Sequence, residues 1–139
     1  MLTAVLIALH VLLAAFWLGA VILLVGFVYP TLAKLGPEGG TFMGRLVDKT
    51  RLPVVLGATG GLTILSGLLI LWILSGGFQP AFMRSTTGVL ISWGAVCGIL
   101  AAISGAIVGR LRERGRPFAL AQATLLVAAV VLMTLGAHI

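Results

Sequence analysis

Both histidines of this chain lie inside or at the end of its apolar stretches. His10 lies within LTAVLIALHVLLAAFWLGAVILLVGFVYP and His138 at the opposite end of the chain, while the apolar segments hold no Asp, Glu, Lys or Arg. An ionisable group in hydrocarbon is costly to keep, which makes each one a functional candidate by default. A neutral imidazole offers three chemistries there: ligation of a metal or haem, proton shuttling, or a hydrogen bond to a neighbouring helix. Trp17 follows His10 by seven residues and so projects from nearly the same helical face. At that depth its indole N–H needs a partner, or its ring stacks on something flat. Gly19 opens a different side of the same helix, and Gly19 and Gly60 are positions where a flat cofactor could approach the backbone.

Other chemistries lack their residues. The three carboxylates, Glu38, Asp48 and Glu113, all fall between apolar segments, so neither a Ser/His/Asp set nor a carboxylate-driven antiport site can form at membrane depth. Met1, Met43, Met83 and Met133 are scattered along the sequence, a poor start for a thioether copper site. Cys97 is the single cysteine, which excludes a disulfide within one chain and any paired-cysteine metal site. Its flanks are apolar and small, as for a buried hydrophobe.

The elements that must position these groups are membrane helices. Of 139 residues, 60% are hydrophobic and 9% charged, with a mean hydropathy of +1.24. Soluble domains carry roughly 25% charged residues. The apolar runs are continuous over the ~20 residues that a helix needs to span a bilayer, and do not alternate as barrel strands do. Four spans are expected, at about 2–29, 53–75, 86–109 and 117–137. Pro30 is expected to end the first, while Pro53 and Pro117 suit first-turn positions. The first span lacks a basic leader and is about twice the length of a signal-peptide core, so it reads as a retained helix. Short connections favour an all-α, integral membrane four-helix bundle of up-down-up-down topology, forming a single transmembrane domain. The longer link, residues 30–52, is amphipathic enough to lie along the interface.

The net charge of +6 and pI near 11.3 are topology signals and not a nucleic-acid footprint, since no basic stripe or recognition helix accompanies them. Lys34, Arg45, Lys49 and Arg51 fall in the first link, Arg110, Arg112, Arg114 and Arg116 in the third, and Arg84 alone in the second. Positive charge concentrates on the cytoplasmic side. Both termini are therefore expected outside the cytoplasm of a bacterial inner membrane. His10 and His138 then share the outer half, at depths differing by about 6 Å, which argues against a snug pair. A frayed, solvated terminus is the simpler reading of His138. For His10 the simpler reading is a core histidine bonded to a backbone carbonyl or a Thr hydroxyl.

Small residues mark the packing faces. Gly94, Gly98, Ala102, Gly105 and Gly109 line one side of the third span; Gly57, Gly61 and the Thr63/Gly67 pair mark the second; Ala15, Gly19 and Gly26 mark the first. Such stripes let helices approach closely where lipid offers no hydrophobic drive.

His10, then Trp17-Leu18-Gly19, then Val28-Tyr29-Pro30 resembles the opening helix of the copper-resistance protein D family and the HemJ-type protoporphyrinogen oxidases. Ile64 to Leu71 is similar to the small-Gly-aliphatic motif of their second helix, and the later spans match by hydropathy alone. The resemblance implies a four-helix core that binds b-type haem, with His10 as axial ligand and Trp17 beside the macrocycle. The HemJ-type enzymes also carry a membrane-embedded lysine, whereas Lys49 is the last lysine here. The second axial ligand falls to His138 or to another subunit. The resulting expectation is a haem-binding or redox-associated membrane protein. The alternatives are a non-catalytic subunit of a homo-oligomer or larger membrane complex, packed through its glycine stripes in the lipid bilayer, and a small copper or solute transporter.

Overall fold

The computed structural model describes residues 1–111 and 116–138. The expectations for Arg112, Glu113 and Arg114 lie outside the described residues. Among the described residues the secondary structure is entirely helical. Four helices are long and apolar enough to cross a membrane: α1 (Leu2–Lys34), α3 (Leu52–Leu74), α5 (Thr86–Leu111) and α6 (Arg116–His138). Two shorter helices lie in the links, α2 (Pro37–Lys49) and α4 (Pro80–Met83). The chain is thus a multi-pass membrane protein.

The first span continues through Pro30, contrary to the sequence expectation. A turn of π-helix over Leu24–Val28 precedes the proline, and the Tyr29 N–H bonds to the Leu24 carbonyl across the wider turn. Proline removes a ladder donor and crowds the carbonyl four residues earlier. Widening the preceding turn accommodates that ring, so the helix runs on to Lys34. At 33 residues it reaches about 50 Å, well beyond the hydrocarbon thickness. Pro37, Pro53, Pro80 and Pro117 each take a first-turn position of their helices, where a missing N–H costs nothing.

Close contacts fix the antiparallel sense of the pairs. His10 and Trp17 of α1 lie against Gly67 and Gly60 of α3, the order reversing along the two helices. Gly94 and Gly105 of α5 meet Met133 and Gln122 of α6, and Gly136 of α6 returns to Leu90 and Ile91. The α1–α3 and α5–α6 pairs are the most extensive, and α3–α5 and α1–α6 contacts close the ring. This is the up-down-up-down bundle.

The core is small: Trp17, Val21, Ala101 and Leu126 are buried, with Leu18, Val25, Ile64 and Ala102 packed around them. Large apolar side chains such as Phe16, Phe27, Leu65 and Trp93 face outward. That arrangement suits lipid, where tight backbone approach and not apolar burial holds helices together.

Gly36, with φ +58°, separates α1 from α2. Gly39 then sits so close to the end of α1 that a methyl group would collide with the Leu32 carbonyl. The amphipathic helix α2 therefore folds back with Gly39, Met43 and Val47 inward and Thr41, Arg45 and Asp48 outward.

Candidate functional site

Thr59, Thr63 and Ser66 form a buried polar strip on α3 facing α1. Each hydroxyl donates to a carbonyl one turn earlier: Thr59 to Val55 at 2.7 Å, Thr63 to Thr59 at 2.8 Å and Ser66 to Leu62 at 2.7 Å. That is how hydroxyl residues satisfy themselves inside an apolar helix. His10 adds to this strip from α1, its Nδ1 lying 3.0 Å from the Thr63 carbonyl oxygen and 3.0 Å from Ser66 Oγ. A carbonyl oxygen only accepts, so Nδ1 carries the proton and donates it. The neutral ring is thereby fixed as the δ tautomer, leaving a lone pair on Nε2. Gly67 makes this possible, because a Cβ there would stand 2.8 Å from His10 Cε1.

A donor N–H pinned to a carbonyl is also how metal-ligating histidines are commonly oriented. The surroundings decide what can be ligated. His10 lines a cavity of about 60 Å³ whose wall also includes Trp17, Gly98 and Met133. One of the scattered methionines thus lines the same cavity as the imidazole, and a His/Met pair is a known haem ligation. The space does not fit the group: a cofactor pocket is usually ~300–1,000 Å³. His138 is exposed at the end of α6 and lines neither this cavity nor the larger one described below. Gly19 is exposed on the outer side of α1 and lines neither cavity either, so it opens no space for a flat ring inside the bundle. Of His10, Trp17, Gly19 and His138, only His10 and Trp17 share a wall. Among the described residues no group of three His, Cys, Asp or Glu side chains could hold a metal ion.

A second cavity, about 450 Å³, lies at the other end of the bundle, where the basic links are. All four spans contribute to it, and Met43 and Val47 of α2 form part of its cover. Trp17 belongs to both cavities, separating the small one from this chamber. The indole is 3% exposed, and its edge lies on Gly60, where an added Cβ would be 2.9 Å from Cε2 and 3.3 Å from Nε1. Across the chamber Gln122 of α6 is 8% exposed, its terminal amide filling the space that a side chain on Gly105 of α5 would take. Tyr29, half-buried, stands nearer the mouth.

Among the described residues neither the Gln122 amide, the Trp17 N–H nor the Tyr29 hydroxyl has a hydrogen-bond partner, and none of the three is sealed from the chamber. Buried polar groups are overwhelmingly paired, so each such group calls for an explanation. Gly60, Gly105 and Gln122 all lie about 10 Å inside the basic-end termini of their helices. The polar groups of Trp17 and Gln122 therefore form the floor of a slot whose mouth is at Tyr29 and α2. No charged side chain lines it among the described residues.

Sequence reasoning missed Gln122 because it searched the apolar segments for ionisable groups alone. A lone amide inside PFALAQATLLVAAVV was the available signal. No family model matches the chain, and no curated protein or solved structure matches it either.

Proposed function

We propose that this chain is a membrane protein that binds a small, uncharged lipophilic molecule in the chamber at the basic end of its bundle. The observation that carries this reading is Gln122: a residue 8% exposed whose amide has no protein partner and opens on a 450 Å³ space. Apolar walls with a few convergent polar groups are the usual form of a small-molecule site. A chamber holding neither ligand nor water would leave that amide unsatisfied at a cost of about 1–3 kcal/mol. With the basic links in the cytoplasm, as their charge directs, the chamber would open toward the inner leaflet of a bacterial cell membrane, with both termini outside.

Ligand linkage provides the test. A molecule bound only by the folded state raises the unfolding temperature. Protein stripped of lipid should melt lower than protein in native lipid, and adding back a total membrane-lipid extract should restore the difference. Gly61→Phe should abolish that restoration. Gly61 lines the chamber, and a Cβ there meets nothing within 4 Å, which makes it a place to add bulk on the wall. Equal responses in both proteins would overturn the proposal.

The haem-associated reading implied by the resemblance to the copper-resistance protein D and HemJ group keeps one point of support, the fixed tautomer of His10. Its obstacle is the 60 Å³ available there. A Soret band that forms on haem addition and is lost in His10→Ala would favour it over the chamber reading.

A further inference from the structure

The chamber's polar groups constrain the chemistry of its occupant; this inference rests on the chamber being the binding site. Its floor presents the Trp17 indole N–H, which can only donate, and the Gln122 amide, with two donor hydrogens and one acceptor oxygen. The Tyr29 hydroxyl at the mouth adds one donor and one acceptor. Donors predominate, so the complementary ligand is rich in acceptors. It is also uncharged: with no charged side chain on the wall among the described residues, a phosphate or carboxylate at the floor would find no counter-charge there. Gly57 and Gly61 of α3 and Gly109 of α5, each open at the Cβ position, expose bare backbone along two adjacent helices. Such walls admit a flat ring more closely than side chains would. Between floor and mouth the lining is aliphatic, including Val21, Val25 and Leu56.

We infer that the occupant is a neutral lipid with a planar, carbonyl-bearing ring of the quinone type, its ring oxygens accepting from Trp17 and Gln122 and its tail running toward the mouth. The glycine walls, the donor-rich floor and the uncharged lining among the described residues each fit this class. A phospholipid supplies the aliphatic stretch and ester acceptors, but it has no flat ring and brings a charged phosphate.

Trp17 is its own reporter. The other two tryptophans, Trp72 and Trp93, are exposed, at 52% and 59%, and can be replaced by Phe. In that background a decyl-substituted benzoquinone should quench Trp17 fluorescence saturably. Gln122→Leu should weaken the apparent affinity by about five- to tenfold, the worth of one hydrogen bond. Gly61→Phe should remove the saturable phase; Gly57→Phe, at a second wall position with no atom near its Cβ, repeats the block if the first variant does not fold. Oleyl alcohol and phosphatidylglycerol, assayed by melting temperature, are the parallel probes. If either stabilises the parent but not the Gly61→Phe protein while quinone quenching never saturates, the ring inference falls and the chamber reading stands. Unchanged quinone affinity in Gln122→Leu also overturns the inference. If no probe distinguishes the parent from Gly61→Phe, both readings fall.

Discussion

At the scale of single residues, the bundle separates two kinds of polar group. His10 is satisfied: its proton goes to Thr63 and its ring rests on Gly67. Gln122 has no protein partner, and its amide opens on the chamber. The two should respond oppositely to substitution. His10→Ala removes an interhelical hydrogen bond and leaves a void, and should lower stability by about 1–2 kcal/mol, measured by thermal or denaturant unfolding in detergent. Gln122→Leu replaces an unpaired amide with an apolar group of similar size. It should leave the melting temperature of stripped protein unchanged or raised, while weakening ligand binding. Gly67→Ala should destabilise as well, because the new methyl stands 2.8 Å from the imidazole. In a double-mutant cycle with His10→Ala that cost should largely vanish, since the two sites are in contact. Much of the His10 environment was legible from sequence. A histidine in lipid must bond something, and a carbonyl was the expected partner. The identity of that partner was not legible, because it depends on the register of α1 against α3.

At the scale of elements, glycine contacts decide where helices sit. The stripe on α5 divides between two uses: Gly94 and Gly105 receive side chains of α6, whereas Gly98 and Gly109 face cavities. Sequence spacing identified the stripe but could not divide it, since each glycine's role depends on what the neighbouring helix places opposite. The π-turn before Pro30 was invisible for a similar reason. Proline in a sequence marks a disturbance, but whether the helix stops or widens depends on the packing around it. The placement of α2 rests on one close approach. Gly39→Ala would force its methyl into the Leu32 carbonyl, a backbone atom with nowhere to yield. Hydrogen exchange of the α2 amides should rise sharply in that variant, with the four spans little changed. Unaltered α2 protection would show that the Gly39 contact does not hold it.

At the scale of the whole molecule, composition alone dictated four membrane helices and short links, and the bundle has them. The chamber could not be anticipated, because a cavity is a property of four helices at once. Its position at the basic end ties the binding proposal to orientation. With Cys97→Ser as background, Thr41→Cys should resist a membrane-impermeant thiol reagent applied to intact cells, and Ser85→Cys should react. The reverse pattern would place the chamber in the outer leaflet. The central claim, that the chamber holds a lipophilic molecule, is tested most directly by native mass spectrometry of protein released gently from detergent. Wild-type protein should carry one adduct of a single neutral species per chain, and Gly61→Phe should carry none. Wild-type protein of bare mass, or an identical adduct on both proteins, would contradict the account.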